Sequence, residues 1–144
     1  MRVEREIEIA AAPEAVYDVV MDPRRLGDWV TIHQSLEDAP EGQLVQGSTL
    51  SQCLKLAGQR LKVRWTVVEN QPAKRVVWEG RGPIGSKAKV IYELSPGGGG
   101  TRFSYTNEYD LPGGPLGRMA SPMVKRLTSG ELEASLQRLK RLVE

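Results

Sequence analysis

Cysteine and histidine are almost absent from this 144-residue sequence, since each occurs once, as Cys53 and His33. A single cysteine excludes a disulfide within the chain and favours a reducing, cytoplasmic location. One histidine and one cysteine, without clustered carboxylates, fall short of the usual ligand sets for zinc. We therefore expect neither a metal nor another cofactor. A Ser-His-Asp triad would have to use His33, and no spacing around that residue supports one.

Long apolar runs are missing as well. No stretch approaches the roughly 20 apolar residues that cross a bilayer, and Met1 leads directly into a charged, alternating segment, which predicts no signal peptide. The net charge of +2, with 26% charged and 40% hydrophobic residues, demands neither a nucleic acid nor a membrane partner. A chain of this length is expected to form one domain, residues 1–144.

What the sequence does contain is one long helical pattern, in residues 112–144. Its apolar residues recur mostly at steps of three and four, which predicts a helix beginning near Pro115 with one buried stripe. Ser129 and Gly130 interrupt the stripe and predict a bend or break. The stripe consists of Leu116, Met119, Ala120, Met123, Val124, Leu127, Leu132, Leu136, Leu139 and Val143.

Alternation of apolar and polar residues dominates the remainder of the chain and predicts strands. A first strand around residues 3–9 precedes two short helices, which begin near Pro13 and Pro23. Six further strands are predicted at 31–38, 48–56, 60–70, 75–81, 87–94 and 102–111. Short turns between them favour antiparallel neighbours, so we predict an α+β fold: a seven-stranded sheet with one dry and one wet face.

A twisted sheet of seven strands curls, and a single helix cannot fill its concave side. We therefore predict a cavity between sheet and helix, closed at one end by the two short helices, with a fully packed core as the alternative. The dry face carries large and partly polar side chains, which are typical of a ligand-binding wall. These candidate ligand-binding residues are Trp65, Trp78, Tyr92, Tyr105, Asn107 and Tyr109.

Four residues outside this face complete the candidate binding set. Trp29 either gates the cavity entrance beside Gly27 or caps the core. Met119, Met123 and Leu127 of the long helix are expected in the core, or in a cavity wall that adapts to varied apolar ligands.

Candidates for catalysis are few. His33 could transfer protons near neutral pH, although the pattern favours it as a polar residue on the wet face of its strand. Tyr105 is the second candidate. Asn107 is informative because a buried amide needs a partner: a ligand, a water or a tyrosine hydroxyl. The glycine-rich stretch 97–100 lies between two alternating segments and predicts a hairpin loop rather than a phosphate-binding loop.

Several local strings resemble those of a known superfamily. They are AAPEAVYDVV within residues 7–20, Asp22-Pro23 followed by Trp29, VVENQP at 67–72, Gly100-Thr101-Arg102, and the closing LQRLKRLVE. With the order of elements, they resemble the START/Bet v1-like (SRPBCC) superfamily, and within it the bacterial polyketide cyclase/dehydrase and lipid-transport group.

The resemblance implies the helix-grip fold, a curved antiparallel sheet wrapped around a long C-terminal helix. It also implies binding or carriage of a hydrophobic small molecule such as a lipid, polyketide or quinone. Two alternatives stay open: an aromatase/cyclase-like enzyme acting in the same cavity, and a toxin-like or ribosome-associated partner-binding module. Nucleic acid binding is not expected, because the basic face of the last helix lacks interleaved aromatic residues.

Overall fold

A computed structural model describes residues 1–110 and 122–144. The first part begins with a strand and two short helices, and continues with six further strands; the second part is a long helix. The elements are β1 (Arg2–Ile9), α1 (Pro13–Val20), α2 (Leu26–Trp29), β2 (His33–Glu37), β3 (Thr49–Leu56), β4 (Gln59–Gln71), β5 (Arg75–Arg81), β6 (Lys87–Gly97), β7 (Gly100–Asp110) and α3 (Pro122–Val143).

The strands form one antiparallel sheet in the order β1-β7-β6-β5-β4-β3-β2. The predicted α+β architecture is confirmed. β1 pairs with β7 over eight residues, from Arg2 opposite Glu108 to Ile9 opposite Thr101, so the first strand lies beside the last. Bulges between His33 and Ser35 and between Val67 and Glu69 interrupt the pairing, and bulges increase the local twist of a sheet.

The two short helices begin where proline and acidic capping residues predict them. Pro13 opens α1. Asp22 accepts a hydrogen bond from the Arg24 backbone N–H at 3.0 Å, and a short 3₁₀ turn that begins at Pro23 then leads into α2. The Tyr17 hydroxyl donates to Asn70 Oδ1 at 2.8 Å, which ties α1 to the end of β4.

Helix α3 continues through Ser129 and Gly130 without a break, so the predicted bend is wrong. A Cβ at Gly130 would meet nothing within 4 Å. One glycine in a helix costs only about 1 kcal/mol, which is too little to break it. The predicted start at Pro115, and with it Met119, falls outside the described residues.

The buried stripe of α3 differs from the predicted one. Met123 is 73% exposed and Leu127 is 44% exposed, so the expectation that they face the interior is wrong. Thr128 and Ser135 are buried instead because their hydroxyls have partners: Thr128 Oγ1 donates to the Val124 carbonyl at 2.9 Å, and Ser135 Oγ accepts from the Thr31 N–H at 3.0 Å. The buried residues are Val124, Thr128, Leu132, Ser135, Leu136 and Leu139.

Polar contacts place α3 along β1. Arg5 Nε lies 2.9 Å from Glu133 Oε1, and Lys140 Nζ donates to the Glu8 carbonyl at 3.1 Å. Thr31, just after α2, contacts the middle of the helix through Glu131 and Ser135. The helix therefore packs against the β1 edge of the sheet and against the segment that follows α2.

Candidate functional site

A cavity of about 50 Å³ lies on the concave side of the sheet. Its described walls come from β3 to β7, from α2 and from the residues that follow α2. Six of the predicted binding residues line it: Trp65, Trp78, Tyr92, Tyr105, Asn107 and Tyr109. No residue of Pro122–Val143 does, and residues 112–121 of the predicted long helix lie outside the described residues. The described walls belong to the sheet and to the α2 region, and the predicted position between sheet and C-terminal helix stays a prediction.

Further lining residues were not singled out from the sequence. Those on strands lie at alternate positions, on the same side as the predicted dry face. This alternation is the feature of the sequence that could have identified them. The segment Leu26–Ile32 carried no such signal, because its contribution depends on how α2 folds over the sheet. The apolar members include Leu26, Val30, Ile32, Leu54, Leu56, Leu61, Val63, Ala88 and Val90.

Gly80 on β5 determines where the Trp65 ring lies. A Cβ built on Gly80 would stand 2.7 Å from two ring atoms of Trp65 and 2.7 Å from Val63 Cγ1. The indole therefore lies directly against the backbone of the neighbouring strand. Since Gly80 and Trp65 are cross-strand partners, the missing side chain makes room for the large one opposite.

Trp29 does not line the cavity. It is 0% exposed and packs against the aromatic rings of the sheet, at centroid distances of 5.9 Å to Tyr92, 5.5 Å to Tyr105 and 6.5 Å to Phe103. Of the two predicted positions, gate and core, the structure places it in the core. It supports the two tyrosines from the side and holds their rings in place.

The tyrosines of the cavity are protonated at neutral pH. Burial raises the pKa of Tyr105 to about 12, partly offset by a hydrogen bond with Asn107. Burial also raises the pKa values of Tyr92 and Tyr109 well above the ordinary value, with a smaller electrostatic contribution from Tyr105. Their hydroxyls are therefore available as hydrogen-bond donors to an uncharged acceptor. Asn107, 2% exposed, adds an amide to the same group.

A chain of hydrogen bonds connects the cavity wall to the histidine. The Trp65 indole Nε1 donates to Gln52 Oε1 at 3.0 Å, and Gln52 Nε2 lies 2.8 Å from His33 Nδ1. An indole N–H can only donate, which assigns the Gln52 oxygen to Trp65 and its amide nitrogen to His33. His33 Nδ1 must then accept, so the ring is neutral and carries its proton on Nε2.

The predicted wet-face position of His33 is wrong. The side chain is half-buried and contacts Gln52, which is 4% exposed and lines the cavity. The reason is the bulge between His33 and Ser35, because His33 pairs with Leu54 while Leu36 pairs with Gln52. Leu54 and Gln52 both face inward, so His33 and Leu36 lie on the same face of the sheet. Strict alternation would have placed them on opposite faces. The proposed catalytic role of His33 stays a prediction.

We expect the stability of the protein to fall as pH is lowered through the histidine range. Desolvation lowers the pKa of His33 below 6.5 in the folded state, so the unfolded chain binds the proton more tightly. The loss begins near pH 6.5 and levels off below the folded-state pKa. Because the sequence has one histidine, its imidazole signals in an NMR titration report this pKa directly. A midpoint at or above 6.5 would contradict the desolvated position of the His33 ring.

Cys53 lies half-buried on β3, opposite Lys62 of β4. Within residues 1–110 and 122–144, no group of three or more His, Cys, Asp or Glu side chains is placed to hold a metal ion. In the same ranges, no helix combines the length and the hydropathy needed to cross a membrane.

Comparison with known proteins finds a matching family model and relatives that cover most of the chain. A family model described as polyketide cyclase / dehydrase and lipid transport matches residues 1–144. Uncharacterized protein Rv1546 of Mycobacterium tuberculosis is 30% identical, covering 97% of this chain and 96% of the relative. Toxin Rv0910 of the same species is 24% identical, covering 91% and 90%. A solved START superfamily protein from Mycobacterium smegmatis superposes with a TM-score of 0.75 at 21% identity, covering 99% and 96%, which shows a shared fold.

Proposed function

Because the chain belongs to the polyketide cyclase/dehydrase and lipid transport family, we propose that it binds a hydrophobic small molecule in the cavity. The ligand's polar end would lie beside Tyr105, Asn107 and Tyr109. The observation that carries this proposal is the contrast within the wall, which is apolar over most of its area and carries three neighbouring polar side chains, Tyr105, Asn107 and Tyr109, on β7. Apolar burial supplies affinity in such a site, and the polar groups orient the ligand.

The polar group favours an uncharged oxygen acceptor on the ligand. Two tyrosine hydroxyls are protonated at neutral pH, as tyrosine ordinarily is, and burial raises their pKa values further. The Trp78 indole N–H, also in the cavity wall, has no hydrogen-bond partner among the described residues, and an unpartnered buried donor costs about 1–3 kcal/mol. A ketone, quinone or ester oxygen would accept from these donors, whereas an ammonium group would not. Within the proposed function, polyketides, quinones and lipid esters are the ligand classes that fit.

The ligand must also widen the cavity. One water molecule needs about 10–15 Å³ of cavity volume, so 50 Å³ holds only a few waters. A lipid or quinone can enter only if part of the wall moves. Pro83 and Ser86 of the β5–β6 loop belong to this wall, and a loop can shift without breaking strand pairing. We therefore expect binding to be accompanied by movement of this loop.

Native mass spectrometry of the protein as purified tests the proposal directly. We expect a mass above that of the chain, lost on denaturation, which identifies a bound apolar molecule. Anilinonaphthalene sulfonate serves as a probe for ligand-free protein. Ala88→Leu adds three carbons to the cavity wall and should weaken probe binding at least about tenfold, because the added group takes the ligand's space.

Ala134→Leu is the matched control for this experiment. Ala134 is exposed on α3, so the same added volume lies outside the cavity and probe affinity should be unchanged. Equal probe affinity for Ala88→Leu and wild type, combined with no copurifying molecule, would contradict ligand binding in this cavity.

Two other functions have specific support. The family description includes cyclase and dehydrase chemistry, so an aromatase/cyclase-like enzyme is the second candidate, with positioning in the cavity as its main contribution. Loss of turnover with retained binding in His33→Ala or Tyr105→Phe would favour it. The name of the relative Toxin Rv0910 supports a partner-binding module as the third candidate. Salt-sensitive co-sedimentation with ribosomes would favour that function.

A further inference from the structure

An isoleucine stands exposed on the loop between β5 and β6. Ile84 is 74% exposed and adopts a backbone φ of 55°, a left-handed conformation that is unfavourable for a β-branched residue. Strained, exposed positions of this kind often serve a function. Pro83 and Ser86, its neighbours in the loop, line the cavity. A bulky apolar side chain therefore projects into solvent at the cavity rim.

Basic residues flank this loop, and one of them, Lys87, has an acidic cross-strand neighbour, Asp110 on β7. Arg81 and Lys87 are exposed cross-strand neighbours on β5 and β6, and Arg81 also pairs with Arg64 of β4. Like charges on adjacent strands repel each other. Arg64 has Asp38 at 3.9 Å, whereas Arg81 and Lys87 form no ion pair with any described residue. Their charge is available to an external anion.

A second pair of cations lies at the same end of the sheet. Lys55 and Arg60 face each other across the β3–β4 turn and are exposed, again without an ion pair among the described residues. In an antiparallel sheet, the β3–β4 turn and the β5–β6 loop emerge at the same end. Leu56 and Leu61, beside this turn, line the cavity. We call Lys55, Arg60, Arg81, Ile84 and Lys87 the rim surface.

We propose that the rim surface docks the protein on an anionic lipid membrane, with Ile84 entering the head-group region and the four cations above acidic head groups. The inference depends on the proposed ligand-binding function, because docking at the rim lets an apolar molecule pass between bilayer and cavity without crossing water. An apolar tip surrounded by cations fits a membrane interface. A nucleic acid site would call for exposed aromatic residues, and the large exposed apolar residues among those described are all aliphatic.

Flotation with lipid vesicles tests the proposal. The full chain should float with phosphatidylcholine vesicles that contain phosphatidylglycerol, and not with phosphatidylcholine alone. Binding should weaken as salt is raised. Removing one basic residue should lower partitioning about fivefold, so Arg81→Gln combined with Lys87→Gln should lower it about 25-fold. Ile84→Ser should also lower it at least about fivefold, because its apolar contact is lost.

The matched control is Arg75→Gln combined with Arg102→Gln, which removes the same charge at the opposite end of the sheet. It should partition like wild type. Equal partitioning of the rim and control variants would overturn the proposal, as would vesicle binding that ignores phosphatidylglycerol. Salt-sensitive binding to an acidic protein, with no vesicle binding, would also overturn it.

Anilinonaphthalene sulfonate binding in solution distinguishes failure of this inference from failure of the proposed function. Arg81→Gln and Ile84→Ser should each bind the probe in solution as wild type does, since neither residue lines the cavity. Normal probe binding without vesicle binding would reject the docking surface alone, whereas no probe binding by any variant would reject the cavity as a binding site.

Discussion

Replacing Trp29 by alanine is expected to lower the free energy of unfolding by about 3–5 kcal/mol, the usual cost of deleting a large buried aromatic side chain. The indole is fully buried and lies within 6.5 Å of three aromatic ring centroids. Its removal leaves a void beside Tyr92 and Tyr105 that α2 cannot fill. Urea unfolding, followed by circular dichroism, measures the loss.

Trp29→Phe is the informative companion to this variant. The Trp29 indole N–H has no hydrogen-bond partner among the described residues. Replacement by phenylalanine therefore reduces the side-chain volume but breaks no hydrogen bond. We expect a cost of only about 1–2 kcal/mol. A cost for phenylalanine as large as that for alanine would show that the indole N–H has a partner. An alanine variant with the stability of wild type would contradict the core position of Trp29.

Gly100→Ala is expected to lower the free energy of unfolding by about 2–3 kcal/mol, near the upper end for overpacking. A Cβ at this position would lie 2.1 Å from the Ile9 carbonyl oxygen and 3.0 Å from Ala10 Cα. Both atoms belong to the backbone, so the end of β1 must move away from β7 to relieve the contact. Thermal or urea unfolding gives the change in stability, and amide hydrogen exchange should show earlier opening at Ile9 and Thr101.

The control for this variant is Gly97→Ala, at the other side of the same turn. The nearest atom to a Cβ there is Arg102 Cβ at 3.7 Å, which is an ordinary contact. We therefore expect a change within about 0.5 kcal/mol. If both variants lost the same stability, the effect would come from the turn conformation in general rather than from the close approach of β1.

Most of the sheet could be predicted from the sequence, because alternation is a local property. The strand predicted at 75–81 agrees with β5 at both ends, and the dry-face residues Tyr92, Tyr105 and Asn107 do face the cavity. Such a pattern depends only on which side of a pleated strand each residue occupies. The pattern fails at one β-bulge: His33 faces inward, whereas alternation alone predicts that it faces outward.

The face of α3 could not be predicted in the same way. Hydrophobicity favoured Met123 and Leu127, whereas the structure buries Thr128 and Ser135. A buried hydroxyl is acceptable when its hydrogen bonds are made, and the partners of Ser135 are in Thr31, more than 100 residues away. Similarly, nothing near Gln52 in the chain shows that it connects His33 to Trp65.

By itself, the sequence determined the order of the elements, the antiparallel sheet and the set of side chains on its dry face, because each follows from local periodicity and turn chemistry. Only the tertiary structure decided how small the cavity is, which face of α3 is buried, and that Trp29 supports the tyrosines instead of gating an entrance. These outcomes depend on contacts between residues far apart in the chain, where packing and hydrogen-bond partners outweigh the preference of any single segment.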